Sequence, residues 1–523
     1  MKKIFISAAA VLAFAATAHA DELSDIQSQA KQLREQNAAM TKRLADLEKR
    51  QKTLEAERPV MINPVDAMAA DLPYKAAVKA NAPENDDLCI KGICIYGNID
   101  MGVTYQNHGA PLSPLAVGPL DYVVSKNSNG AYFGVGPNQL STSFIGLRGK
   151  QEIADNLYAV FNLQTQFDPA SGLTSSGVGS VAQNNGLNIG FQNAFSDSSK
   201  AGQMFNQAAY FGLSSPTYGT LTIGRQSALS SDLVTNYDAT SGSNAFSLLT
   251  YQGGNGGGGD TEDRIYDNSF EYRVNVGPIR LAAEAQLRNG GNSGTGNAFE
   301  GDVGFDYLGL SMDFLGGKIY DAVSASPLTM AQVQSAAALG LAVGNGQLAG
   351  TVSDNTVFQV GARYTIGPWK LFAGYEHIDF ANPNNPLAPG AFIDGGFILT
   401  SPNNINFPND KILQTAWIGV KYSVTQALDI TGSYYHEWQN SFGTGALAGC
   451  NTVVSSQCSG TLDAVSLVVD WRFARHMDMY AGAMWSQVTN GLANGFLQTN
   501  GTPGNTGNKA NSVDPGIGLR YQF

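Results

Sequence analysis

The feature that most limits how this chain can fold is a period-two alternation of apolar and polar residues, repeated from about residue 92 to the end. Successive side chains of a β-strand point to opposite faces, so each such segment has one apolar and one polar face. In the closing NSVDPGIGLRYQF, Pro515, Ile517, Leu519, Tyr521 and Phe523 share one parity, and Gly516, Gly518, Arg520 and Gln522 share the other. In RLAAEAQLR, Leu281, Ala283, Ala285 and Leu287 oppose Arg280, Glu284, Gln286 and Arg288. In VSLVVDWRF, Val465, Leu467, Val469, Trp471 and Phe473 oppose Ser466, Asp470 and Arg472.

Sixteen such segments are expected, near 92–105, 140–150, 156–167, 207–215, 219–226, 266–276, 278–288, 300–307, 308–316, 356–366, 368–378, 412–423, 427–438, 461–473, 476–488 and 513–523. Their connections alternate in length. Very short ones (151–155, 216–218, 277, 367, 425–426, 474–475) take turns with long polar ones (106–139, 168–206, 227–265, 317–355, 379–411, 439–460, 489–512). A soluble sandwich has no reason to sort its loops this way. Short turns at one rim and long loops at the other fit an even-stranded transmembrane barrel, and strands of about 9–13 residues fit a tilted crossing of hydrocarbon. Closure also removes the edges an open sheet would expose. The expected fold is therefore all-β: a 16-stranded antiparallel transmembrane β-barrel over 89–523, preceded by an N-terminal α-helical coiled coil.

That coil is read from residues 21–58. Leu23, Ile26, Ala30, Leu33, Asn37, Met40, Leu44, Leu47, Gln51 and Leu54 follow a three–four spacing, with Asn37 and Gln51 as its polar members. A helix this polar outside its seam needs partner helices, so an oligomer is expected, its number left open by the pattern. Residues 59–88 turn to Pro, Ala, Asn and Asp and read as a linker. Residues 1–20 read as a secretory signal: Lys2 and Lys3, an apolar stretch, then Ala18-His19-Ala20. Export permits disulfides, and the cysteines form two local pairs, Cys89/Cys94 and Cys450/Cys458. An even strand number returns the C-terminus to the side where the first strand starts, which places the coil in the periplasm.

Composition narrows the function. With 14% charged residues and no uncharged apolar run of about 18, neither a disordered chain nor a transmembrane helix is expected. A formal charge of −12 argues against nucleic acid. His108, His377, His436 and His476 are scattered without metal-ligand spacing, and no G-x-S-x-G is present. GGNGGGGD (253–260) contains G-x-G-x-x-G only through its glycine content. Asp260, Glu262 and Asp263 are weak Ca²⁺ candidates, and a plain acidic loop is the favoured reading. The expectation is a protein without enzymatic activity, metal or cofactor. Strand parity turns Arg273, Arg280, Arg288, Arg363, Lys421, Arg472 and Arg520 inward, with Glu271, Glu284, Glu376 and Asp470 among them. The opposite placement would put cations against lipid, at about 2–4 kcal/mol each near the midplane.

Several segments resemble the general porins of Gram-negative bacteria, in particular the trimeric neisserial and β-proteobacterial type. They are STSFIGLRGKQEIADNLYAVFNLQTQFDPASG (141–172), MFNQAAYFGLSSPTYGTLTIGRQSAL (204–229), RIYDNSFEY (264–272) and the terminal GLRYQF. The resemblance implies a homotrimer in outer-membrane lipid and lipopolysaccharide, each barrel a water-filled pore for ions and small hydrophilic solutes. It implies that the third long loop, 227–265, folds inward carrying Asp232, Asp238, Asp260, Glu262 and Asp263, with arginines facing it at Arg148, Arg225 and Arg264. Parity agrees for Arg148 and disagrees for Arg225, which shares a face with Leu221 and Ile223. Phe523 stands at the family's C-terminal insertion signal. The coiled coil departs from the simplest members, so the alternative readings are a structural protein that tethers the envelope to peptidoglycan and a substrate-selective channel.

Overall fold

The computed structural model describes residues 31, 88–90, 92–108, 131–174, 204–249, 265–287, 297–327, 347–382, 391–394, 397–400, 410–441, 459–490, 498–499, 502–503 and 509–523. The chain divides into two compact units, Met1–Asn63 and Pro64–Phe523. In the first, Lys31 is helical and exposed. The rest of the coil, and the segment read as a signal, lie outside the described residues.

In the second unit all sixteen alternating segments are strands. They are β1 (Ile93–Gln106), β2 (Phe144–Ala154), β3 (Leu157–Gln166), β4 (Ala208–Ser215), β5 (Gly219–Ser227), β6 (Ile265–Val276), β7 (Ile279–Gln286) and β8 (Ala298–Tyr307). There follow β9 (Leu310–Pro327), β10 (Gln347–Ile366), β11 (Trp369–Ala381), β12 (Lys411–Thr425), β13 (Leu428–Gln439), β14 (Gly460–Ala474), β15 (Met477–Thr489) and β16 (Lys509–Gln522). Each pairs antiparallel with the next, and β16 pairs back onto β1 with Gln522 opposite Asn98 and Thr104 opposite Gly516. The sheet is thus closed. Phe523 adds a final pair of backbone hydrogen bonds, N–H to the Gly97 carbonyl at 3.1 Å and carbonyl from the Gly97 N–H at 2.8 Å. Its ring occupies the space above Gly97, where a Cβ would lie 2.4 Å from it.

Several of the short connections contain a residue in the left-handed conformation, among them Asn156, Gly219, Gly277 and Gly367. Leu308 and Gly309, between β8 and β9, have φ of 47° and 86°, the signature of a two-residue hairpin turn whose twist matches the strands. Before β1, the strand Leu88–Ile90 forms a hairpin with it, closed by a Cys89–Cys94 disulfide between register partners. Cys450 and Cys458 lie outside the described residues.

Three features depart from the sequence reading. The segment expected as strand 140–150 is broken: Tyr132–Pro137 pairs with Met101–Gln106, and β2 begins only at Phe144, opposite Asn98. The break at 138–143 is pinned by Asp100, whose Oδ2 accepts the Leu140 and Ser141 N–H groups at 2.9 and 2.7 Å. Next, β9 and β10 run far into the region expected as loop 317–355, because their ladder continues after the apolar alternation fades at Gly316–Gly317. Finally, the loop after β11 holds a hairpin, Ala391–Asp394 with Phe397–Thr400, and the second of these lies parallel to Gln347–Ala349.

Polarity is inverted relative to a soluble fold. Ile145, Leu147, Phe211, Leu213, Ile223, Phe358, Ile418, Leu467, Trp485, Ile517 and Leu519 are exposed outside, while Asn162, Gln164, Thr222, Glu271, Glu376, Thr415, Asp478 and Arg520 are buried within. An exterior belt of large apolar side chains is stable only against hydrocarbon. Leu467→Arg, at the middle of β14, should lower the stability of the lipid-embedded barrel by about 2–4 kcal/mol in urea unfolding. No change would mean that this face does not meet lipid.

Candidate functional site

The third long connection enters the lumen. It starts with the helix α1, Leu229–Tyr237, whose Leu229, Leu233, Val234 and Tyr237 form one buried stripe. A nine-residue helix is marginal alone. Its support is the wall: α1 packs against β10 and also touches β8, β9, β11 and β7. After it come Phe246, Leu248 and Leu249, each at most 1% exposed. Together these side chains bury against Leu315, Val357, Ile378, Phe380, Leu413, Trp417, Tyr435, Val468, Tyr480 and Met484 of the inner wall. Burial of such side chains contributes about 1.5–3 kcal/mol each. The inner wall facing the loop is therefore greasy, which parity alone did not show.

Polar contacts fix the seat. The Trp417 indole N–H donates to the Tyr237 carbonyl at 2.9 Å. The Tyr237 hydroxyl donates to Asp313 Oδ2 at 2.7 Å. Burial and the adjacent Asp313 push this phenol above its usual range, so it stays a donor. At the turn after the helix, Asp238 Oδ1 accepts the Tyr435 hydroxyl at 2.7 Å, and Oδ2 accepts the Thr240 hydroxyl at 2.6 Å and the Gly242 N–H at 2.8 Å. The loop then reaches the broken strand, where the Ala245 N–H and Ser243 hydroxyl donate to the Gln139 carbonyl at 2.9 and 2.8 Å.

The expected constriction residues are placed as follows. Arg148 is on the inner face, its guanidinium 4.9 Å from the centre of the Tyr96 ring. Arg225 follows Gly224 at a bulge in the β5–β6 ladder. It is 6% exposed, donates through Nε and Nη2 to the Asn206 carbonyl at 2.9 and 2.8 Å, and pairs with Asp267 at 2.5 Å. Asp232 on α1 is bound to Arg273. Asp238 is fully buried in the turn just described. Arg264, Arg288, Asp260, Glu262 and Asp263 lie outside the described residues.

One sector of the lumen is rich in carboxylates. On β6–β9 carboxylates predominate: Glu271, Glu284 and Glu300 are direct neighbours in register, joined by Asp302, Asp306 and Asp313. Among the described residues only Arg273 and Arg280 stand with them, Arg273 with Glu271 at 2.5 Å and Arg280 with Asp313 at 2.7 Å. On β10–β16 the cations Arg363, Lys370, Lys421, Arg472 and Arg520 are interspersed with the buried carboxylates Asp354, Glu376, Asp429, Glu437, Asp478 and Asp514. Arg472 pairs with Asp429 at 2.8 Å. Arg520, read from sequence as pore lining, is only 4% exposed and bolts the closing seam: it pairs with Asp478 at 2.6 Å on β15, and its Nη1 reaches the Ser141 hydroxyl at 3.3 Å. Lys370 and the signal for the greasy seat were missed by sequence reading, although the i, i+4, i+5, i+8 spacing of Leu229, Leu233, Val234 and Tyr237 was there to be read.

Asp238→Ala strips three donors of their acceptor at once, each worth about 1–3 kcal/mol when buried. The loop should then become a thermolysin target in folded barrels, with cuts between 238 and 249 by mass spectrometry. Resistance equal to wild type would show that Asp238 does not hold the turn.

Comparison with known proteins agrees with this geometry. The Gram-negative porin family matches residues 67–491. An outer-membrane porin protein of Bordetella pertussis is 28% identical over 139 residues, 27% of this chain and 29% of that relative, so the aligned part is under a third of its length. Among solved structures, an anion-selective porin from Comamonas acidovorans superposes with a TM-score of 0.51 at 17% identity, over 82% of this chain and 99% of that one. The trimer form of OmpT, an outer membrane protein of Vibrio cholerae, gives 0.48 at 14% identity, over 82% and 99%. With a family match across most of its length and a closed sixteen-stranded barrel, this chain belongs to the Gram-negative porins of the outer membrane.

Proposed function

We propose that the protein is a passive diffusion channel for ions and small hydrophilic solutes, with a homotrimer as the working assembly in outer-membrane lipid and lipopolysaccharide. The observation that carries this reading is the inverted polarity, an apolar belt outside and ionised side chains inside, narrowed by a loop that is part of the interior. The acidic sector on β6–β9, with both signs of charge on β10–β16, supports sorting of ions by charge across the bore, since charged groups lining a pore set up a field that acts on passing ions. No group of three or more His, Cys, Asp or Glu side chains among the described residues is arranged to hold a metal ion. The pore-constriction role of Arg148, with Arg225, Asp232 and Asp238, belongs to the same proposal, and Arg148 is its most direct test because its side chain faces inward.

Purified protein added to a planar bilayer should give stepwise ohmic currents in KCl. Arg148→Glu should move the reversal potential under a salt gradient toward cations, changing the permeability ratio by about 2–5-fold, and leave assembly intact. An unmoved potential would remove Arg148 from the constriction. The heptad seam at 21–58 favours a second role as a periplasmic tether to peptidoglycan. Deletion of 21–58 should leave conductance unchanged and release the protein from cell-wall sacculi, whereas unchanged extraction would count against the tether.

A further inference from the structure

We propose that the Cys89–Cys94 disulfide is a site of thiol–disulfide exchange, opened by a reduced dithiol with the help of Arg148. The inference does not depend on the channel reading. It adds a covalent site to the protein, at the rim where β16 ends.

The bond lies on a strap beside the seam. At Ile93–Ile95, β1 pairs on one edge with β2 and on the other with Leu88–Ile90. That second edge is the one β16 occupies further along, from Asn98 to Thr104. β16 gives out at Phe523, which bonds to Gly97. The strand Leu88–Ile90 therefore continues the place of β16 beyond Phe523 and covers an edge of β1 that would otherwise be bare. Cys89 and Cys94 are register partners across this ladder. Leu88, Ile90, Ile93 and Ile95 point outward, between 40% and 76% exposed. The two sulfurs are on the other face, toward the lumen.

A bond kept for stability gains from closing a long loop and is protected by burial. This one has neither advantage. Cys89 is exposed and Cys94 half-buried. The cysteines have a sequence separation of 5, and the stabilisation a cross-link supplies through the unfolded state falls as its loop shortens. β1 is already held by its ladders to β2 and β16, so closure of the barrel does not rest on the disulfide. The surroundings favour reaction. Cys94 is the register partner of Arg148, whose guanidinium stands on the same inner face, 4.9 Å from the centre of the Tyr96 ring. Lys150 follows on that face. Cations beside a cysteine stabilise its thiolate, and a stabilised thiolate is the better leaving group.

Exposure and charge together set the direction of the exchange. A thiolate of the dithiol attacks the exposed Sγ of Cys89, the S–S bond breaks, and its electron pair stays on Cys94 Sγ near Arg148. The second thiolate of the dithiol then attacks the dithiol's own sulfur in the mixed disulfide and expels Cys89. The dithiol leaves as a disulfide, and the two cysteines take up its two electrons and two protons. Opening frees Leu88–Ile90 from β1 and leaves the ladders to β2 and β16 in place.

In the test, full-length protein in detergent micelles is treated with dithiothreitol and quenched with iodoacetamide, and the Cys89 and Cys94 peptides are quantified by mass spectrometry. The folded barrel should be reduced at a rate within about threefold of the same protein in urea, because the bond is open to attack. Arg148→Gln should slow reduction of the folded protein at least about fivefold and leave the rate in urea unchanged, whereas Arg148→Lys should stay within about twofold of wild type. Hydrogen exchange of the reduced protein should show protection lost at 88–95 and kept at 98–104. A disulfide that resists dithiothreitol until the barrel unfolds, an Arg148→Gln protein reduced as fast as wild type, or unchanged protection at 88–95 would each overturn the proposal. Stepwise currents alongside any of these results would leave the channel reading standing.

Discussion

Every backbone amide that crosses hydrocarbon must find its partner within the protein, and the rest of this structure follows from that demand. An antiparallel sheet meets it only by closing. Here closure is made by β16 against β1 and sealed by Phe523 on Gly97. The seam is reinforced from inside, where Arg520 clasps Asp478 and Asp100 holds the broken strand. These buried ion pairs compete with a high desolvation cost, and loss of one partner would leave an uncompensated charge. Their place at the one junction between sequence-distant strands suits them to fix register rather than to conduct.

Closure creates an interior, and the inward loop packs against part of its wall. The loop is held less by charge than by apolar burial, with α1 lying on a patch of Val357, Ile378, Phe380, Leu413 and Trp417. The ionised groups are thereby left to the remaining wall, with carboxylates predominant on β6–β9 and both signs present on β10–β16. A lumen divided in this way couples the loop's packing to the shape of the field, because the residues that seat the loop decide which wall faces water.

The strands were legible because lipid outside and water inside impose opposite preferences on alternate residues. The same rule explains where reading stopped. On β12, Leu413 and Trp417 are apolar on the inner parity while Ile412 and Ile418 are apolar on the outer, since one face meets the loop and the other meets lipid. Alternation cannot separate two apolar environments. Arg225 escaped a simple assignment because the ladder bulges beside it at Gly224, whose φ is 138°. Asp232 and Asp238 were recognised as loop acids, but no one-dimensional signal tells that the first meets Arg273 and the second closes a turn onto Tyr435. The extra length of β9 and β10 was hidden because a ladder outside hydrocarbon needs no apolar stripe.

The central claim is that outward side chains touch hydrocarbon and inward ones do not. It is tested most directly by tryptophan quenching with lipids brominated along their acyl chains, using variants that keep a single tryptophan. Trp485, exposed on β15, should be strongly quenched, and Trp417, buried beneath the inward loop, should be almost unaffected. Equal quenching of the two, or quenching of Trp417 alone, would contradict the barrel as described.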